Sequence, residues 1–432
     1  MKKLIELLNN NPNIDEWKIV TNDTSSTELF FIKDKLQMNR AKDVSKINVT
    51  VYKNFSENEK KFKGSSSTVF SDVYTNKEIE EKLNQAALAA SFVKNEYYEL
   101  VSPTGKKAKE ITSAFSQGDP VELISKLVKD LYEENHQFDS FINSTEFFLN
   151  KKLVRIVNSK GLDVEYQKYS GEIELITEAE GENESIELFC VLHFADYDSN
   201  AIKTEIKDKL EQTSLRAKAI PMPNVKDIPV ILRGSSTVAL WSYYATQVSA
   251  GQKYSHIHNN NIGDSVQNED ALGDLVTITM KPEIPNSTLN SYYDVDGFLM
   301  KETIFIENGK IKNLFAQKRF SDYLNIKTTG NLQNTIVNPG GKSIKELKDG
   351  PYLEIIAFSN FQTDGLTGDF GGEFRLAIYF DGEKEIPVTL GTVAGNLKTA
   401  QNDMYLSKES VKNDFFIGPK YIKFNKLTIV GN

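Results

Sequence analysis

The sequence predicts an α+β fold: N-terminal α/β segments, built as a mixed sheet with helices, followed by a large, mainly antiparallel, barrel-like β domain. Three observations predict it. Strand and helix periodicities alternate through the first half of the chain. Pro221-Met222-Pro223 then marks a boundary, because closely spaced prolines cannot continue a helix. Beyond it, strand-like runs dominate: Pro229 to Leu232, Leu275 to Met280, Thr303 to Ile306, Tyr352 to Phe358, Gly372 to Phe380, Ile386 to Val393 and Tyr421 to Val430. The implied domains are residues 1–220, in two segments of about 1–105 and 106–220, and residues 221–432. No fixed-period solenoid repeat is visible.

In the first segment, Leu4, Leu7 and Leu8 suit the buried face of an opening helix. Trp17 to Thr21, Glu28 to Met38 and Lys46 to Lys53 read as strands. In the third, Ile47, Val49 and Val51 alternate with Asn48, Thr50 and Tyr52, as a half-buried strand requires. Gly64-Ser65-Ser66-Ser67 reads as a turn or loop. A helix then spans about Asn76 to Lys94, where Thr75 and Glu78 have capping-box spacing and Ile79, Leu83, Ala87 and Ala90 form its apolar stripe.

The second segment opens with Asp119 as N-cap, Pro120 at the first helical position and Glu122 at the spacing of a capping partner. Val121, Ile124, Val128 and Leu131 then line one face. Strands follow over Asp139 to Asn158, with an interruption near Asn150, over Asp163 to Thr177 and over Ser185 to Phe194. Gly181-Glu182-Asn183-Glu184 forms an acidic turn between the last two. A helix from about Asn200 to Ala217 carries Ile202, Ile206 and Leu210 inward. In the last domain, Ser235 to Ala250 reads as a helix with Leu240, Trp241 and Tyr244 as core and Gly251 as C-cap. Asn308-Gly309, between Ile304, Ile306 and Ile311, Leu314, is a hairpin signal, since both turn positions tolerate positive φ. A short helix from about Arg319 to Asn325 follows it.

Composition narrows the function. At 432 residues the chain can bury a sizeable core, and 39% hydrophobic with 26% charged residues is globular composition. A net charge of −9 argues against sequence-independent nucleic-acid binding, which needs clustered Lys and Arg. The single Cys190 sits in an apolar run as a core thiol and excludes an intrachain disulfide. The N-terminus, MKKLIELLNN, has too short an apolar run for a signal peptide, and no stretch reaches the length of a membrane span. A cytoplasmic location is expected.

One succession carries a resemblance. Asp294 and Gly297, Ile306-Glu307-Asn308-Gly309, Arg319, Ser321, Leu324 and Thr329-Gly330-Asn331 fall in an order similar to the C-terminal part of the TldD/PmbA family. That family was formerly described as modulators of DNA gyrase and is understood as a metalloprotease system. Asn158-Ser159-Lys160-Gly161 and Thr392-Val393-Ala394-Gly395-Asn396 resemble two further family segments.

The resemblance implies that the helix after Ser235 would carry His-Glu-x-x-x-His in a catalytic member, two metal-binding histidines and a glutamate that activates water. Aligned back from Ser255 and Gly263-Asp264, those positions fall on Val238, Ala239 and Tyr243. The whole of Ser235 to Ala250 lacks His, Glu, Asp and Cys, and Phe416 to Pro419, where the family's metal-binding cysteine should fall, has none either. The chain therefore resembles the PmbA (TldE) side of the family, the subunit without the metal site. No catalytic residue and no cofactor are expected in this chain, and zinc is expected in a TldD-like partner.

Other groups are weaker. His256 and His258 would share a face if extended, with Asp264 nearby, yet two ligands do not make a zinc site. His136 and His193 read as structural. The glycine-rich run from Gly365 to Gly372 lacks the features of a nucleotide loop. The resemblance places its Thr367, Gly368 and Asp369 near a substrate chamber, with Thr329, Gly330 and Asn331 as further candidates that also read as a structural turn. The implied function is a non-catalytic subunit that pairs with a TldD-like chain to bind and degrade unstructured peptides. The alternatives are a homodimeric peptide-binding protein without hydrolase activity and a peptidase with a relocated metal at His256 and His258.

Overall fold

The computed structural model describes residues 1–70, 74–133, 135, 138–182, 184–225 and 227–431, with 235 and 236 by backbone only. His136 and Asn183 lie outside the described residues. The N-terminal half is organised by one seven-stranded sheet. Its strands are β1 (Glu16–Ile32), β2 (Lys35–Glu57), β3 (Lys60–Phe70), β4 (Asn95–Glu96), β5 (Ser140–Asn158), β6 (Asp163–Glu180) and β7 (Ser185–Phe194), in the order β4-β3-β2-β1-β5-β6-β7. Every neighbouring pair is antiparallel, which corrects the expected mixed sheet. Tight turns join β1 to β2, β2 to β3, β5 to β6 and β6 to β7, and such turns can join only antiparallel neighbours. The central pair, β1 with β5, runs in register from Lys18↔Asn158 to Ile32↔Ser144, so strands of both expected segments share the sheet.

Parity then assigns each side chain to a face. The inner face is clad by helices: α1 (Lys2–Asn10) and α2 (Asn76–Ser91) at one end, α4 (Pro120–Glu133) and α5 (Ser199–Ala217) at the other, with the short α3 (Ala114–Gln117) before α4. Leu4, Leu8, Leu83 and Ala90 meet Trp17, Ile19, Val49 and Val51. Ile124, Leu127, Ile206 and Leu210 meet Phe147, Ile173, Leu175 and the buried thiol of Cys190. The Thr75 and Glu78 capping box forms as its spacing predicts.

Several local expectations are corrected. The run Glu28 to Met38 is two strands, because the chain reverses at Lys33, φ +55°. Gly64 lies inside β3: a Cβ there would stand 1.9 Å from the Ala90 carbonyl oxygen, so the glycine admits the end of α2 and is no flexible turn. Asn150 interrupts nothing, being in register with both Ser26 and Ser170. Val121 is 70% exposed, and Leu127 fills the inward position instead. Glu122 reaches forward to Lys126 rather than back to a cap, while Asp119 does accept from the Val121 N–H at 2.9 Å. The last-domain helix breaks into α6 (Ser235–Gln247) and α7 (Ala250–Tyr254), with Gly251 inside α7 rather than capping α6. The run Ile386 to Val393 breaks at Leu390, φ +57°.

The C-terminal half is mainly antiparallel β. A six-stranded sheet is ordered Lys310–Ile311, Thr303–Glu307, Ile278–Lys281, Asn334–Val337, Phe416–Pro419 and Ser410–Asn413. A nine-stranded sheet includes Met404–Leu406, Tyr421–Phe424, Val230–Arg233, Tyr352–Thr363, Asp369–Phe380 and Glu385–Thr389, with Gly391–Asn396 pairing on Asp369–Phe380. No closed barrel is found among the described residues. The Asn308-Gly309 turn has φ of +48° and +74°, the conformation its sequence demands. No described helix is long and apolar enough to cross a membrane.

The halves meet on the outer face of the N-terminal sheet. Val154, Ile156, Val164 and Tyr166 pack with Phe298, and Gly297, φ +82°, lies where a Cβ would stand 2.3 Å from Leu162. Lys18 on β1 donates to Asp296. Beside it Asp294 is buried: Oδ1 accepts from the N–H groups of Asp296 and Phe298, both at 2.9 Å, while Oδ2 has no hydrogen-bond partner. Burial, reinforced by the Asp296 carboxylate, pushes the Asp294 carboxyl up to about 7. Its contribution is fully present below the ordinary carboxylate pKa and is lost as pH rises through about 7, because the native state holds the proton longer. Asp294→Asn removes this titration, so the fall in melting temperature between pH 5 and pH 8 is expected to flatten; an unchanged profile would refute the assignment.

Candidate functional site

The candidate site is built on α6, whose two sides make different contacts. Leu240, Trp241 and Tyr244 are buried, as the apolar pattern predicts. Trp241 stacks on Phe416 with centroids 6.1 Å apart and an interplanar angle of 19°. Tyr244 donates to Gln401 Oε1 at 2.8 Å, and Gln401 Nε2 in turn donates to the Val266 carbonyl at 2.8 Å. Tyr243 meets Tyr244 edge-on at 5.3 Å. Burial pushes both phenols above their ordinary pKa, so neither supplies a phenolate near neutral pH. Val238 and Ala239 are half-buried, and Val238 packs against the core.

The loop 364–368, which joins Tyr352–Thr363 to Asp369–Phe380, lies against the second side of α6. Gly368, φ +82°, sits where a Cβ would be 3.2 Å from the Tyr243 ring. At Gly365 a Cβ would stand 2.3 Å from Thr246 Oγ1, and Gln247 Nε2 donates to the Gly365 carbonyl at 3.2 Å. The loop is fixed internally as well. Asp364 Oδ1 accepts from the N–H groups of Leu366 and Thr367, each at 2.8 Å. Asn396 clamps it from outside, donating through Nδ2 to the Thr367 carbonyl at 3.1 Å and to Asp369 at 2.7 Å. The same residue caps the next turn through Oδ1. These bonds hold the Asp369 carboxyl below the usual carboxylate range, so a fixed negative charge stands at the loop surface.

Thus α6, Thr367-Gly368-Asp369 and Asn396 are brought together. Thr329-Gly330-Asn331 is held by a different element: the Thr329 and Gly330 N–H groups both donate to the Ala316 carbonyl at 3.0 Å, and the Ala316 N–H donates to Thr329 Oγ1 at 2.9 Å. Thr329 is 3% exposed, and a Cβ on Gly330 would stand 2.6 Å from Met300. These contacts are those of a structural turn. The two loop histidines do not share a face. His256 is exposed in a left-handed turn, φ +58°, which replaces the extended backbone that pairing would need. His258 is buried, with Nε2 3.0 Å from the Ser249 carbonyl and Nδ1 accepting from the Asn260 N–H at 3.2 Å. Burial lowers its pKa, and both ring nitrogens are engaged. His193 stands on β7 beside Glu172 at 3.4 Å.

Sequence reasoning missed the roles of Thr246, Gln247, Asn396 and Gln401. Only Asn396 left a signal, as an N-cap residue before Leu397–Ala400.

Residues 226–431 match the PmbA/TldA metallopeptidase C-terminal domain. That region is similar to the C-terminal domain of the TldD/PmbA family. The chain is 25% identical over 259 residues to a Methanocaldococcus jannaschii protein, and 29% identical over 154 residues to a zinc metalloprotease TldD homologue of Saccharolobus solfataricus. These matches cover 56% and 30% of this chain, and 59% and 33% of the relatives' own lengths. In solved structures, TldE from Thermococcus kodakarensis superposes at TM-score 0.79 with 16% identity over 99% of this chain and 100% of that one. A protein described as a modulator of DNA gyrase from Thermotoga maritima gives 0.79 with 17% identity over 99% of both chains. At these identities the superpositions establish a shared fold.

The metal that a TldD/PmbA metallopeptidase implies does not fit the residues of this chain. Zinc needs converging thiolate, imidazole or carboxylate donors. Along α6 the side chains at 238, 239 and 243 are Val, Ala and Tyr, and the facing strand offers Phe416, engaged with Trp241. Among the described residues no three His, Cys, Asp or Glu side chains are grouped to hold an ion. The site instead presents a rigid, polar-edged loop on an aromatic helix.

Asn396→Ala removes both clamp bonds and the cap. A cost of about 1–2 kcal/mol is expected, with faster amide exchange over residues 364–369. Unchanged exchange there would show that the loop is held by other contacts.

Proposed function

We propose that this chain is a cytoplasmic, non-catalytic subunit of a metalloprotease assembly. It pairs with a TldD-like, zinc-bearing chain, and the pair binds and degrades unstructured peptides. The observation that carries this reading is the substitution of the metal-ligand positions by packed apolar and aromatic groups: Val238, Ala239 and Tyr243 on α6, with Phe416 stacked on Trp241. A scaffold that keeps the fold and the Thr367-Gly368-Asp369 loop, while its donor set is apolar, suits a chain that shapes a chamber and leaves the chemistry to its partner.

Peptide binding has a physical basis beside that loop. Strand Tyr352–Thr363 pairs with Val230–Arg233 only over Leu353↔Val230 to Ile355↔Leu232, so residues 358–363 extend past that partner. An extended peptide added along such an edge would be held by backbone hydrogen bonds, which give affinity with little sequence preference. Thr367 and Asp369 lie in and at the end of the turn that follows this strand.

Mixing this chain with a TldD-like chain that carries His-Glu-x-x-x-His is expected to give chelator-sensitive cleavage of an unfolded protein substrate. This chain alone is expected to give none. Chelator-sensitive cleavage by this chain alone would reverse the assignment of roles. A well-defined homodimer that ignores the TldD-like chain would favour the peptide-binding alternative.

A further inference from the structure

The outer face of the N-terminal sheet is used over only half its length. Toward the Asn158 end of β5 it is sealed by the C-terminal half through Val154, Ile156, Tyr166 and Phe298. Toward the other end, no helix or loop among the described residues packs on it in an apolar cluster. Parity places Phe30, Phe148, Phe189 and Val191 there, across β1, β5 and β7. Phe30 and Phe148 meet edge-on at 5.9 Å, and Phe189 and Val191 are 64% and 37% exposed. Exposed large apolar groups occur singly on most proteins, but here Phe30 with Phe148 and Phe189 with Val191 flank the outward face of β6 on one open face, a grouping characteristic of an interaction surface.

Carboxylates are threaded through this grouping. Glu146 on β5 stands directly opposite Glu174 on β6, and Glu172 is the next outward residue along β6. Like charges directly opposite one another destabilise a sheet. The strain is visible in Glu174, whose carboxyl is pushed up by burial and by the Glu172 and Glu146 charges. Nearby cations are few: Arg40 is committed to Glu28, and His193 lies beside Glu172.

We infer that this uncovered half-face is a docking surface for a basic, amphipathic polypeptide segment, whose apolar side chains cover Phe30, Phe148, Phe189 and Val191 and whose Lys or Arg side chains neutralise Glu146 and Glu174. Two features select this occupant. The face continues the seam between the halves, so it is shaped to receive another layer of polypeptide. Its charge rejects a second copy of this chain, since a two-fold axis would set Glu146 and Glu174 against the same carboxylates. The inference does not depend on how the candidate site on α6 is read.

The test uses the full chain and two synthetic amphipathic peptides, one with a leucine stripe flanked by lysines and its counterpart flanked by glutamates. The lysine peptide is expected to bind in a salt-dependent manner and the glutamate peptide not to bind. Phe189→Ser, and separately Glu146→Gln with Glu174→Gln, are expected to weaken binding at least about tenfold. Glu80→Gln with Glu81→Gln on α2, the same change of charge elsewhere, is expected to leave it unchanged. Glu174 is half-buried and the others lie at the surface, and an unchanged melting temperature will verify folding. Equal binding by all variants would overturn the inference, as would a homodimer that Phe189→Ser dissociates.

Discussion

The long antiparallel pairing of β1 with β5 is the constraint on which the molecule depends. Because side chains alternate strictly, its register commits every residue of both strands to one face, and a one-residue slip would exchange the faces. Ile19, Phe147 and Val157 are thereby fixed inward beneath helices, while Val20, Phe30, Phe148 and Val154 are fixed outward. One strand thus serves both cores. The same parity that seals Val20 and Val154 against the C-terminal half leaves Phe30 and Phe148 facing away from it. The covered and uncovered portions of the outer face are consequences of one register.

Within the C-terminal half, α6 is held by packing rather than by ion coordination. A metal centre needs lone pairs converging on one point, and buried donors that are not coordinating an ion must find other partners or incur a desolvation cost. Here the helix avoids that cost. Trp241 turns its face to Phe416, Tyr244 places its hydroxyl on Gln401, and Tyr243 covers the backbone of Gly368. What remains polar is the loop 364–368 and Asp369, whose groups are tied to Asn396 and to each other. On the proposed reading, such a surface orients a bound chain and leaves bond polarisation to the partner.

Features with a local physical cause were legible in the sequence. Thr75 with Glu78, Asn308-Gly309 and the stripe of α5 each act through neighbouring residues, and each forms as written, whereas in β2 Tyr52, expected on the water side, is buried. The lack of metal donors on α6 was equally legible, because it is a property of residue identity. What failed was decided at a distance. Gly64 looks like a loop residue until α2 is seen to need its missing Cβ, and Asn150 looks like a breaker until Ser26 and Ser170 pair beside it. The reversal at Lys33 has no glycine or asparagine to announce it. His256 and His258 could pair only if extended, and a left-handed residue removes that geometry. The stack of Trp241 on Phe416 joins residues from opposite ends of the C-terminal half, which no periodicity reports.

The two surfaces proposed for binding lie on different layers, and this limits how they can influence each other. The α6 loop and the edge beyond Ile355 belong to the C-terminal sheets, and the aromatic and acidic grouping belongs to the N-terminal sheet. Ligands on the two do not compete for any residue named above, so coupling between them would have to pass through the seam. Its contacts include the Phe298 cluster, Lys18 with Asp296 and the turn around buried Asp294, joined by Arg319 with Asn95, Lys168 with the Thr288 carbonyl and Arg233 with Asp208. A rigid apolar contact transmits strain, whereas a buried carboxyl with one unpartnered oxygen can change its charge without changing its packing. Protonation of Asp294 therefore adjusts how firmly the halves are held while leaving both surfaces chemically untouched. This makes the seam the place where occupancy of one surface and the state of the other can be linked.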